Sequence, residues 1–132
     1  MNPPHEALTK EAMDNPSSID AARAAAWPPS YETNPIVMSA VERGLPRPVP
    51  IAIYMDGVRY SAPLAGRSDS VVGMWMVNCF TNKRHLILTV RTNDMCRCGC
   101  RGFCSVYPLW EAIAWSCRAL IQGRMPIERD DG

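Results

Sequence analysis

The sequence has no dominant charge, no leader-like beginning and no long apolar run. Fourteen basic residues against thirteen acidic ones leave a formal net charge of +1 over 132 residues, which excludes a general polyanion binder held by bulk charge. Met1 to Lys10 is polar and proline-bearing rather than basic and then apolar. The order of a secretory leader is therefore missing, and an intracellular setting, the nucleus included, is expected. No run approaches the roughly 18 apolar residues of a membrane-spanning helix. There is no phosphate-cradling glycine loop, and no serine or cysteine set beside a plausible general base, so no small-molecule substrate is identified. The only two histidines, His5 and His85, have no ligand partner at helical or strand spacing.

Proline becomes scarce partway along. Nine of the twelve prolines precede residue 51, while Ile51 to Gly123 holds only Pro63 and Pro108. The chain accordingly divides into a proline-rich segment over residues 1–46, a domain over 47–123 and a polar tail over 124–132. An apolar share of 47% suffices for one modest core. The part before Trp27 has too little apolar surface to offset its ordering entropy. It is expected to be poorly ordered, with His5 in a mobile tail, although Ser18 to Ala26 could form a short helix capped by Ser17 or Ser18. A firmer helix is read over residues 34–43, with Asn34 as N-cap, Pro35 at the first position and Gly44 as the stop. Its residues Ile36, Val37, Ala40 and Val41 share a face that should pack on the domain.

From residue 51 the pattern is that of strands. Ile51–Tyr60, Val71–Phe80 and Arg84–Arg91 are rich in β-branched, aromatic and methionine residues. The short polar loop Thr81-Asn82-Lys83 makes the last two antiparallel neighbours, with Cys79 opposite about His85. The middle strand is apolar on both faces, which implies helices covering both sides of the sheet. One long helix follows over Val106–Gln122, with Ser105 as cap, Pro108 in the first turn and Gly123 as the stop. The fold class is α+β: a three-stranded antiparallel sheet, a cysteine-rich loop, then a long helix. The four tryptophans read as packing.

That order, with an aspartate inside the apolar first strand "IAIYMDGV", resembles the opening half of the ribonuclease H-like fold of cut-and-paste transposases and integrases. Pro50 to Leu120 is also similar to repetitive proteins abundant in dinoflagellate genomes, read as remnants of mobile elements. The first resemblance implies that Asp56 is one of three acids holding two divalent ions for phosphodiester chemistry. The other two acids would come from a strand and a helix beyond the long helix. The chain ends at Gly132 with only the polar tail "ERDDG" there, so a truncated domain that does not cut DNA is expected. The residues themselves leave a second reading open, because Asp-Gly between apolar runs is a strong hairpin signal and would make Asp56 an exposed turn residue. In the strand reading Asp56 shares a face with Ala52, Tyr54 and Val58, near Asp69.

Four of the six cysteines, Cys96, Cys98, Cys100 and Cys104, fall within nine residues. Their C-x-C-x-C-x3-C spacing lacks the C-x2-C knuckle whose amides point at the sulfurs. Soft thiolates at this density nonetheless favour Zn²⁺, and Gly99 and Gly102 supply the positive φ angles that turn the side chains inward. The competing reading is a reduced loop whose thiols pack on Trp110 or Trp115. Cys79 is read as lying outside the cluster, and Cys117, on the buried face of the long helix, could approach it only if that helix folds back. Two functions follow: an inactive transposase-like domain with a zinc loop, or a small zinc-binding module for protein or nucleic-acid interaction. An unpaired sheet edge adds self-association as an expected behaviour.

Overall fold

The computed structural model describes residues 1–59 and 70–123. Four short helices come first, α1 (Pro4–Asp14), α2 (Pro16–Ala24), α3 (Pro29–Glu32) and α4 (Pro35–Glu42). Strands β1 (Ile51–Arg59), β2 (Ser70–Asn78) and β3 (Lys83–Arg91) follow, then a 3₁₀ turn (Thr92–Asp94) and the long helix α5 (Phe103–Gln122). The sheet is antiparallel throughout, in the order β1-β2-β3. The architecture is α+β, as the strand pattern implies. The proposed tail over residues 124–132, and Asp69, lie outside the described residues.

Asp56 sits in a continuous strand. It pairs with Gly73 and Gly57 pairs with Val72, so the ladder runs without reversal from Ile51 to Arg59. The hairpin reading of Asp56-Gly57 is thereby excluded. The chain reverses instead after Asn78, which pairs with Lys83, with Asn82 in the left-handed region at φ 57°. His85 is consequently opposite Met76, and Cys79 is in the turn rather than across from it. Between Met74 and Trp75 the β2–β3 register slips by one residue. The extra residue is Ile87, which turns into the core at 1% exposure while Leu86 faces out at 41%.

The core lies on one face of the sheet. Met74, Met76 and Ile87 pack with Ile113 of α5 and with Ala7 and Leu8 of α1, flanked by Ile51, Ile53 and Leu120. Truncating any of the large ones to alanine should cost about 2 to 5 kcal/mol. The N-terminal segment thus departs from expectation: α1 is folded and its apolar stripe closes the core. His5, expected in a mobile tail, is 5% exposed. Its Nδ1 lies 2.7 Å from Ser116 Oγ, the same oxygen accepts from the His5 N–H, and the ring meets Trp115 edge-on. The reason is economy of area, since a single turn carrying Ala7 and Leu8 suffices when polar partners fix its position. Glu11, 3% exposed, completes the docking by accepting from Thr81 and pairing with His85 Nε2 at 2.7 Å.

Three local expectations also need correction. In α4, Asn34 Oδ1 does accept from the Ile36 N–H, but only Val37 and Ala40 are buried, and Ile36 and Val41 remain exposed at 59% and 55%. Helix α5 starts at Phe103, ahead of Ser105, with Gly102 as its N-cap. Pro108 therefore falls in the second turn, where it offers no N–H to the carbonyl of Cys104. Finally, α1 and α5 cover a single face of the sheet: on the other, Ala52, Asp56, Val58 and Leu86 are exposed.

Candidate metal centre

The loop that joins β3 to α5 is built by its glycines and by what precedes it. Met95, partly buried at the start of the loop, lines an apolar seam together with Val72, Met74, Leu88, Val106 and Leu109. Ser105 Oγ, in the first turn of α5, accepts from the Cys96 N–H at 2.7 Å. The supposed helix cap thus pins the loop's entry to its exit. Gly99, Arg101 and Gly102 all have positive φ, at 96°, 56° and 85°. At Gly102 a Cβ would also meet Met95 Sδ at 3.1 Å. The two glycines were legible as turning points; Arg101 in the left-handed region was not, since a long side chain carries no signal for it.

These turns bring Cys96, Cys98, Cys100 and Cys104 together, one sulfur each, with all four sulfurs within 4.8 Å of one another. A tetrahedron with metal–sulfur bonds of about 2.3 Å has edges of about 3.8 Å. The Cys98–Cys104 pair already stands at 3.7 Å, so the set fits zinc after a contraction of about 1 Å along its longest edge. These sulfurs partner one another and the amides of Cys98 and Cys104, while the Trp115 ring meets His5. Although the spacing lacks a C-x2-C knuckle, amides do point at sulfur: Cys98 N–H donates to Cys96 Sγ and Cys104 N–H to Cys100 Sγ, both at 3.3 Å. Such bonds orient and stabilise thiolate ligands.

The sulfurs are not equivalent. The Cys104 amide and the Cys98 thiol hold Cys100 down to about 6, from an ordinary 9.0. Hydrogen bonding to Cys100 and then Cys98, together with repulsion from their charge, pushes Cys104 up to about 12. Hydrogen bonding to Cys98 raises Cys96. In the metal-free loop the negative charge therefore collects first on Cys100. Cys117, by contrast, packs against the core and is raised by burial. Neither it nor Cys79 joins the group.

Asp56 does not gather a site. Among the described residues the four cysteines form the only cluster of three or more metal-ligating side chains, and Asp56 is exposed on the sheet face opposite the core. No protein family, curated protein or solved structure matches the chain in comparison searches. No helix among the described residues is long and apolar enough to cross a membrane.

Proposed function

We propose that the chain is a small zinc-stapled α+β interaction module in which Cys96, Cys98, Cys100 and Cys104 hold one Zn²⁺. The convergence of four sulfurs within 4.8 Å carries this reading. Soft thiolate donors select zinc over hard cations, and a closed four-sulfur set leaves no position for substrate, which makes the role structural. Four thiolates around Zn²⁺ leave a charge of −2, and Arg97 and Arg101 of the same loop are placed in sequence to offset it. Bound metal would fix the exit of β3 to the start of α5, so metal affinity and folding of this junction are coupled.

Purified protein should carry about one zinc per chain by elemental analysis. Cys98→Ser with Cys100→Ser should abolish it and lower the melting temperature, whereas Cys79→Ser should keep the full content. Zinc-free protein from metal-replete, reducing conditions would end this reading.

A second reading, descent from a transposase-like domain, draws on the unbroken β1 with Asp56 inside it and on the β1-β2-β3-α5 order. It gives Asp56 at most a weak divalent-ion contact without cleavage. Titration with Mn²⁺ tests it: the reading requires weak binding that Asp56→Asn removes.

A further inference from the structure

The sheet face turned away from α1 and α5 is used neither by the core nor by the cysteine loop. Strand alternation places Tyr54, Val58, Trp75, Arg84, Leu86 and Arg91 on it. Tyr54 and Trp75 are direct cross-strand partners and are only half-buried. Val58 and Leu86 expose 51% and 41%. Gly73, two residues before Trp75 on the same face, is what lets the indole settle: a Cβ there would stand 2.8 Å from Trp75 Nε1. The missing side chain keeps the ring low across the middle of the sheet. At the two ends of β3 stand Arg84 and Arg91, both exposed and neither in an ion pair among the described residues.

We propose that this open face binds single-stranded nucleic acid, with bases stacking on Trp75 and Tyr54 and phosphates held by Arg84 and Arg91. Stacking on aromatic rings tolerates any base and requires unpaired bases, so a single strand fits where a duplex does not. A net charge of +1 gives no bulk attraction to a polyanion, which leaves the stacking rings and the two local guanidiniums as the sources of affinity. Asp56 lies on the same face in β1 and repels phosphate, so the backbone tracks along β3. There the two arginines, seven residues apart, span about 24 Å. A second copy is a poorer occupant. It would bury four unpaired guanidiniums against faces whose only described strand acid is Asp56, a costly arrangement. The proposal does not depend on the cysteine cluster.

Fluorescence anisotropy of a labelled twelve-nucleotide oligo-dT strand, at about 50 mM salt with the full chain, tests it. Binding is expected for the strand, and at least tenfold weaker for a twelve-base-pair duplex. Trp75→Ala should weaken binding at least tenfold, the scale of one lost base stack. Exposed Arg84→Gln with Arg91→Gln should weaken it similarly and lower the salt slope by about 1.4. Should Trp75→Ala fail to fold, Trp75→Phe retaining much of the affinity while the arginine pair loses it supports the same stacking and phosphate contacts. Binding that persists in the metal-stripped Cys98→Ser, Cys100→Ser protein is expected, so a failed zinc reading stays distinguishable. The proposal is overturned by no binding, by equal affinity for duplex, by indifference to the arginine pair, or by a dimer that the arginine pair dissolves.

Discussion

Cys100 in the loop and Cys104 in the first turn of α5 are four residues apart, yet the same contacts that favour the thiolate at one disfavour it at the other. The amide of Cys104 is spent on Cys100 Sγ, and the charge it stabilises then opposes ionisation of Cys104. In metal-free, reduced protein at pH 7, iodoacetamide should therefore label Cys100 first, with a rate that rises through a midpoint near 6, and Cys104 last. Mass-spectrometric mapping over pH checks the order, and equal labelling of all four sulfurs would contradict it. Zinc should suppress labelling of all four. The presence of a thiol cluster was legible from spacing alone. Its internal asymmetry was not, because it rests chiefly on the Cys104 amide being aimed at Cys100 Sγ, which spacing does not reveal. A comparable blind spot surrounds Gly73, which reads as an ordinary strand glycine until the Trp75 indole is seen beside it. Gly73→Ala should cost about 1 to 3 kcal/mol by overpacking, and most of that cost should vanish in a Trp75→Leu background. A denaturant-melt double-mutant cycle reads the difference.

Helix α1 shows why the N-terminal segment was misjudged. Its buried positions Pro4, Ala7, Leu8 and Glu11 have the spacing of one helical face, but two are small or proline and one is a carboxylate, so apolar content alone undervalues it. The docking is polar at both ends, through His5 with Ser116 and through Glu11 with Thr81 and His85. Burial pushes the Glu11 carboxyl up, and the contacts from Thr81, His85 and Asn78 outweigh it, leaving it below the ordinary 4.5. Asn78 Nδ2 makes no hydrogen bond of its own but lies close enough to favour the charged form. A carboxyl lowered on folding stabilises above its unfolded value, and that contribution is lost as pH falls through the folded value. The docking term should hold above pH 4.5 and fade in more acid solution. Amide protection in α1, relative to the intrinsic exchange rate at each pH, should fall there before protection in β2 does. Glu11→Gln should be less stable at neutral pH and show a flatter acid profile; an unchanged profile would remove Glu11 from the docking. The strands and α5 were legible because long apolar stretches and glycine stops mark them. The helix start was missed by three residues, since Ser105 looks like a cap while binding the Cys96 amide instead.

At the scale of the molecule, two edges and one face of the sheet are treated differently. The β3 edge is tied down by the N-terminus, where the Asn2 N–H donates to the Ile87 carbonyl at 2.8 Å, at the bulge itself. A bulge twists an edge away from further pairing. The nine-residue β1 edge has no strand partner among the described residues, and its only charges are Asp56 and the terminal Arg59. An edge of that length with so little charge templates strand addition, so the protein should associate at high concentration through β1. Sedimentation velocity over a hundredfold range of concentration should show the shift. Val58→Lys, at a half-exposed edge position, should suppress it, because a lysine on an edge strand penalises a like strand alongside. The Arg84→Gln, Arg91→Gln protein should associate as the wild type does, since those residues belong to β3 and to the open face rather than to the β1 edge. A wild-type monomer at every concentration would show that the β1 edge is already satisfied. Association abolished by the arginine pair would move the contact from the edge to the face, and with it the nucleic-acid proposal would fall.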